Sequence, residues 1–403
     1  MNLKEKLYIK KRIYKAKLES ALFYFFRLFP IKKNKVVFCC IEGTTGFSCN
    51  PKYIAKECIR RNHEELTNFE LVWLVNDLTK SFPAQIKVVK NNLINRAYHL
   101  STAGIWIDNS RKQLEVRKRH DQKYIQTWHA KLGFKPTCLD RGRSFSRIAY
   151  LVSKHDSDMV DYWLSNSQWY NKTLATGALY YGKTILSGSP RCDILVNQFP
   201  RNRQIVRERY NLPASCKIMM YAPTFRGGSQ STNRTLEHGS RNHMPDFSRC
   251  INALENRFDG EWFIFLRLHP QLTARNLLEQ IDGQRIVDVS TVDDMYELLC
   301  GCDAFMTDYS SAAFDAAIMK IPVFLYCDDL DEYEAERGKL LWDLKKLPFA
   351  FASDNGQLET VIECFSMEKY STNLKELWNN TELMEEGNAS QKVVDLMERI
   401  VKE

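Results

Sequence analysis

The chain has 403 residues, a net charge of +8, and 44% hydrophobic against 26% charged side chains. That length implies two α/β domains, and the composition excludes a disordered chain. Twelve cysteines are scattered from Cys39 to Cys364 with no CxxC pair and no His/Cys cluster at zinc spacing, so they read as reduced thiols, not as a disulfide or metal framework.

The basic charge is concentrated at the start. Residues 1–35 hold nine Lys and two Arg against Glu5 and Glu19, a local +9, which leaves −1 for the other 368 residues. Leu3, Leu7, Tyr14, Leu18, Leu22, Phe25 and Phe29 recur at helical spacing among the lysines. This favours an amphipathic helix lying on an anionic membrane surface through residues 1–30, since each Lys or Arg near such a surface is worth about 1 kcal/mol, over a solvated helix that packs its stripe on the body of the protein. The run Ala21 to Pro30 is interrupted by Arg27 and is about half the ~20 residues a spanning helix needs. No cleavable leader is legible, so the expected location is the cytoplasmic face of the membrane, held peripherally. A nucleic-acid partner is not expected, because the body is nearly neutral and shows no binding module.

After the tail, short β-rich runs alternate with helical stretches, the signature of parallel sheets with crossover helices. Val36 to Ile41 reads as the first strand, followed by a loop from Glu42 to Asn50 and a helix opening at Pro51. Leu71 to Val75, Ile86 to Val89, Ile105 to Asp108, Tyr124 to Trp128 and Tyr162 to Asn166 continue the series. Gly43 and Gly46 sit in the first turn without the dinucleotide spacing GxGxxG, which makes it a tight turn with an open ligand role.

A second series follows: KIMMYAPTFR from 217, WFIFLRLHP at 262–270, RIVDVS at 285–290, AFMTDYSS at 304–311 and PVFLYC at 322–327. Asp293 to Cys300 and Ala312 to Lys320 read as helices between them. The polar stretch Gly227 to His243 has no apolar period and reads as a loop.

In open α/β sheets ligands bind at the carboxyl ends of the strands. Those ends carry His129, then Thr224 and Arg226, then Arg267 and His269, then Thr307, Asp308, Ser310 and Ser311. Two imidazoles, two guanidiniums and several hydroxyls form an inventory for a phosphate-bearing ligand. Each is weak alone: a His beside Trp128 is commonly a packed core residue, and Ser-Ser before a helix is commonly a cap. Their joint placement at strand ends favours the functional reading.

These stretches resemble a known family. QTWHAKLGFK at 126–135, SGSPRCDIL at 187–195, YAPTFR at 221–226, RLHP at 267–270, TDYSSAAFD at 307–315 and DLDEYEAERG at 329–338 are similar, in order, to the motifs of the CDP-glycerol glycerophosphotransferases, the teichoic-acid primase and polymerase family. The resemblance implies a GT-B architecture: two Rossmann-like domains facing a central cleft, with residues 1–35 as the membrane-associating segment, 36–200 as the acceptor domain and 201–403 as the CDP-donor domain. It implies His129 and His269 as catalytic residues, with His129 the general base for the acceptor hydroxyl. Arg267 pairs with His269 in the donor site; Thr224, Arg226, Thr307, Asp308, Ser310 and Ser311 serve the diphosphate, and Arg337 and Gly338 the donor's glycerol phosphate.

The activity so implied is transfer of glycerol phosphate, or a related polyol phosphate, from a CDP-linked donor to a lipid-linked or polymer acceptor, with release of CMP, no cofactor and no metal. The Asp329/Asp331 pair reads as a solvated surface. In SGSPRCDIL, Gly188, Pro190 and Arg191 are expected to shape a linker, and Asp193 to pair with Arg191 or cap the next helix. Two departures from the family pattern stand out: Ala130 where glycine is usual, and KLLWDL after Gly338 where aromatic residues are usual. The rival readings are a GT-B transferase using CDP-ribitol or a nucleotide sugar, and an inactive, membrane-tethered scaffold of a polymer-assembly complex.

Overall fold

The computed structural model describes residues 3–197, 199–224, 244–268 and 285–402. It forms two compact units: one runs to Lys131, takes in Thr137–Asp193 and closes with the chain from Met384 onward; the other comprises Leu132–Pro136 and Ile194–Leu383.

In the first unit seven strands form one parallel sheet: β1 (Lys32–Cys39), β2 (Glu70–Val75), β3 (Lys87–Lys90), β4 (Ala103–Asp108), β5 (Lys123–Gln126), β6 (Tyr162–Ser165) and β7 (Lys183–Leu186), in the order 3-2-1-4-5-6-7. Val36 pairs with both Leu71 and Ile105, which fixes the register of the three central strands. Side chains alternate between two cores because successive Cβ atoms point to opposite faces. Val36, Phe38 and Cys40 pack with Ile54, Cys58 and Trp73 on one face; Val37 and Cys39 pack with Leu100, Trp106 and Trp163 on the other. Both faces are covered, so the strands read as continuous apolar runs.

The final helix, Ala389–Lys402, belongs to this first unit, with Val393, Val394 and Met397 in the first core. Asp193 holds its start: the carboxylate accepts the Ala389 and Ser390 N–H groups at 2.9 and 2.8 Å. Arg61 binds Asp395 at 2.7 Å and also engages Glu398. The expected domain 201–403 therefore loses its last segment to the first unit. Asp193 does cap a helix, but the last one of the chain, a long-range pairing that local sequence does not reveal.

The tail is the helix Leu3–Phe25. Its buried face is Ile9, Ala16, Ser20 and Phe23, with Phe23 fully enclosed in the second core. Most of the stripe singled out from the sequence is on the other side: Leu3, Leu7, Tyr14, Leu18 and Phe25 are all exposed, while Leu22 packs against the second core. The helix thus has two apolar faces and departs from the single-sided pattern expected. Among the described residues no helix is long and apolar enough to cross a membrane.

The second unit repeats the architecture with β8 (Lys217–Tyr221), β9 (Trp262–Leu266), β10 (Ile286–Asp288), β11 (Ala304–Thr307), β12 (Val323–Tyr326) and β13 (Ala350–Ala352), all parallel, in the order 10-9-8-11-12-13. The segment Leu132–Pro136, which follows the candidate base in sequence, packs in this unit. Phe134 is fully buried 4.9 Å from Phe314 and 6.3 Å from Phe349, ring centre to ring centre, and Trp342 Nε1 donates to Gly133 O at 3.1 Å.

β7 and β13 went unpredicted; they are edge strands of only four and three residues. The expected helix 293–300 shrinks to Tyr296–Leu299.

Candidate active site

Both sheets reverse direction of winding at one point, between β1 and β4 in the first unit and between β8 and β11 in the second. The crevice beyond the strand ends at such a point is where open α/β sheets take ligands.

In the first unit the groups beyond β1 and β4 are locked together by Asn109. Its Oδ1 accepts the Ile41 N–H at 2.7 Å, its Nδ2 donates to Cys40 Sγ at 3.2 Å, and Ser110 Oγ accepts the Glu42 N–H at 2.9 Å. Ile41, Glu42 and Cys49 all adopt positive φ, backbone that costs of order 1 kcal/mol or more for a non-glycine residue. The main-chain oxygen of Asn109 faces His129, whose Nδ1 lies 2.9 Å away. A carbonyl oxygen only accepts, so Nδ1 carries the proton and Nε2 presents a lone pair.

His129 follows β5 through a turn in which Trp128 has φ 48°. Asn50 holds that turn: Nδ2 donates to Trp128 O at 2.6 Å, while Oδ1 accepts the Arg191 N–H at 3.0 Å. The SGSPRC motif is in this way part of the His129 support and not merely a linker. Arg111 sits 4.9 Å over the Trp128 ring. Burial pushes the His129 pKa down; the bond to Asn109 opposes this, and the Arg191 and Arg111 charges reinforce it. A neutral imidazole with Nε2 free is the form a general base requires.

In the second unit the strand-end groups divide by role. Asp308 is 1% exposed, and its carboxylate accepts the Thr224 N–H at 2.9 Å on each oxygen, the Thr224 hydroxyl at 2.9 Å, and the Tyr309 N–H. Thr307 is fully buried and donates its hydroxyl to Ala222 O at 2.6 Å. Neither matches the expected diphosphate contact: a carboxylate repels phosphate, and the Thr307 hydroxyl is committed to joining β11 to the loop after β8. They position the Thr224 loop instead.

Ser310 and Ser311 are partly exposed beyond β11; Ser310 Oγ accepts the Ala312 N–H at 3.3 Å. The helix they open, Ala312–Ile318, has seven residues, so its dipole is weaker than a long helix would supply. Arg267 follows β9 and donates from Nη1 to Val289 O and Val292 O at 3.1 and 2.6 Å. Burial lowers its pKa from the ordinary guanidinium value, and the nearby Asp294 and Asp293 oppose that shift.

Gly338 ends the helix Leu330–Arg337 with φ 96°, and its N–H bonds Glu334 O at 2.9 Å. With ψ 158° this is an extended conformation at positive φ that glycine adopts without the strain a side chain would add. Arg337 is partly exposed with Glu336 at 3.6 Å. Arg226 and His269 lie outside the described residues. Asp329, expected on a solvated surface, is buried and accepts the Tyr309 hydroxyl at 2.8 Å. No group of three or more potential metal ligands occurs among the described residues.

The profile of the family described as CDP-Glycerol:Poly(glycerophosphate) glycerophosphotransferase matches residues 21–399. A teichoic acid poly(glycerol phosphate) polymerase of Bacillus spizizenii is 26% identical over 98% of this chain and 99% of its own length. Polymerases of the same description from Staphylococcus epidermidis and Bacillus subtilis are 26% and 27% identical, but there the chain spans only 52% and 50% of the relative. In three dimensions the chain is similar to the wall teichoic acid polymerase TagF, with a TM-score of 0.78 at 23% identity over 99% of this chain and 97% of that one; a histidine-to-asparagine variant of TagF soaked with CDPG gives 0.77. The fold is therefore of the GT-B type, and the chain belongs to the CDP-glycerol:poly(glycerophosphate) glycerophosphotransferase family.

Proposed function

We propose that the protein transfers glycerol phosphate from CDP-glycerol to a hydroxyl of a teichoic-acid-type or lipid-linked acceptor and releases CMP. The observation that carries this reading is the 2.9 Å contact of His129 Nδ1 with the Asn109 carbonyl oxygen, which in the neutral imidazole leaves Nε2 unprotonated. The acceptor hydroxyl gives its proton to Nε2 as its oxygen attacks the β-phosphorus of the donor; the bond from that phosphorus to the CMP oxygen breaks, and CMP leaves. Arg267 and the hydroxyls of Ser310 and Ser311 supply cationic and neutral donors for the diphosphate, and His269 and Arg226 complete that set by family resemblance. Asp308 acts by holding Thr224. A relative described as a poly(ribitol-phosphate) polymerase is 26% identical, so the donor experiment has a ribitol arm. Nucleotide release, CMP from CDP-glycerol or CDP-ribitol and UDP from a UDP-sugar, is measured in the presence of lipid-linked acceptor. Release with CDP-glycerol is expected; release only with a UDP-sugar would overturn the assignment.

The same reading places the protein peripherally on the cytoplasmic face of the cell membrane. An α-helix turns 100° per residue, so Leu3, Leu7, Tyr14, Leu18 and Phe25 fall within an arc of roughly 60°, away from the face that docks on the body. Lys6, Lys10 and Lys17 flank that arc on one side and Lys4, Lys11 and Lys15 on the other. Apolar side chains between two lysine rows are what an interfacial helix presents to anionic lipid.

A further inference from the structure

The Leu3–Phe25 helix meets the body of the first unit beside the sheet's carboxyl ends, and a cleft of about 240 Å³ opens along that seam. Arg12, Lys15 and Glu19 line it from the helix, and Arg96, Gln113 and Glu115 from the body. Its charges are unequally matched. Arg96 is held by Glu115 at 2.7 Å and by Asn91 Oδ1 at 3.2 Å, and Lys15 lies 3.6 Å from Glu19. Among the described residues Arg12 makes two long hydrogen bonds to neutral groups, Tyr8 Oη and Gln113 Oε1, both at 3.4 Å, and its charge acts on the Glu42 carboxylate without a bond to it. A guanidinium at a cleft wall with no carboxylate bonded to it offers a fork for a phosphate, and the adjacent Glu19 and Glu115 offer acceptors for hydroxyls.

The cleft joins the His129 support. Gln113 Nε2 donates to Glu42 Oε1 at 3.5 Å, the Glu42 N–H donates to Ser110 Oγ, and Asn109, next in chain, carries the carbonyl that fixes His129. We propose that this cleft is an acceptor subsite that binds a phosphodiester flanked by hydroxyls, the repeating chemistry of a polyol-phosphate chain, with Arg12 on the phosphate. The proposal rests on the functional reading above and extends it by placing the acceptor on the same helix whose outer arc faces lipid.

The shared chemistry of polymer phosphate and lipid headgroup sets the design of the test. A soluble, fluorescent glycerol-phosphate oligomer is titrated into the full chain, wild type, Arg12→Ala and Arg12→Lys, with anisotropy as the readout. Sedimentation with phosphatidylglycerol-containing vesicles is measured in parallel. Loss of one charge-assisted phosphate contact predicts about a tenfold or greater rise in oligomer Kd for Arg12→Ala and partial recovery in Arg12→Lys. Vesicle binding and the KM for CDP-glycerol are expected to stay at wild-type values. Unchanged oligomer affinity overturns the subsite; so does a loss confined to the vesicle arm, which would assign Arg12 to lipid headgroups. Oligomer binding needs no turnover, so a wild-type protein that binds the oligomer but releases no CMP from any donor counts against the functional reading alone.

Discussion

His129 donates from Nδ1 to the main-chain oxygen of Asn109 at 2.9 Å. A main-chain acceptor cannot be protonated or replaced by mutation, so the tautomer is set by the fold itself. The imidazole works as a base only when neutral, and activity therefore rises with pH through its pKa. Burial has moved that pKa below its ordinary 6.5, and Arg191 and Arg111 add to the shift, so the acidic limb of kcat/KM is expected below pH 6.5. Arg191→Gln removes one of the lowering charges and is expected to move the limb to higher pH. His129→Asn is expected to cut kcat by about 100-fold or more, with an unchanged circular dichroism spectrum. A pH profile of kcat/KM for the three proteins checks all of these.

Asn50 reaches the same imidazole by another route. It ties Trp128 O to the Arg191 N–H, and Trp128 holds positive φ only because the surroundings over-determine it. Asn50→Ala is expected to let the turn relax and to lower kcat about 10- to 100-fold with little change in the KM for the CDP donor. Steady-state kinetics with the donor varied separates this from a defect in donor binding, which would raise KM first.

Much of this was legible in the sequence. The apolar runs located eleven of the strands, all but the short edge strands β7 and β13, and the strand-end rule led to His129, Arg267 and the 307–311 stretch. Residue type alone did not separate contact from support. Asp308 and Thr307 sit between plausible ligand residues, yet their partners, Thr224 and Ala222, lie more than 80 positions away, and a hydrogen bond across that separation leaves no local signature. Asn50 and Asn109 were invisible for the same reason, and Arg191 was read only as part of a linker: their roles exist only once β1, β4 and β5 lie side by side. The tail shows the converse problem. Periodicity reported the exposed stripe, while the buried one, Ile9, Ala16, Ser20 and Phe23, includes a serine and an alanine and carries a weaker hydrophobic signal.

Asp308 offers a clean separation of positioning from contact. Three donors converge on one buried carboxylate, and bonds to a charged acceptor are worth about 1.5–3 kcal/mol each. Asp308→Ala is expected to destabilise the protein by about 2–4 kcal/mol and to raise the donor KM, because the Thr224 loop loses its anchor. Asp308→Asn keeps the shape and an acceptor oxygen and is expected to lose less of both. Thermal melts and donor KM measured on the two variants test this; a large KM effect with no loss of stability would place Asp308 on the donor itself.

The N-terminal helix makes opposite predictions for its two faces. Phe23 is fully enclosed among Leu100, Trp106 and Trp163, so deletion of residues 1–30 removes a piece of the core together with the lysines and cannot test membrane binding cleanly. Point substitutions can. Phe23→Ala is expected to cost about 3–5 kcal/mol of stability, the range for truncating a buried phenylalanine, and to leave the vesicle affinity of the folded fraction unchanged. Leu7→Ser with Leu18→Ser replaces side chains that are 58% and 59% exposed, so the melting temperature is expected to stay within about 2 °C of wild type. Each leucine that leaves the lipid interface should weaken vesicle binding by about 1–2 kcal/mol, roughly 30- to 900-fold for the pair. Sedimentation with anionic vesicles at two salt concentrations separates this apolar term from the lysine term, because only the latter is screened. Equal binding by the double variant and the wild type would remove the membrane role from this face of the helix.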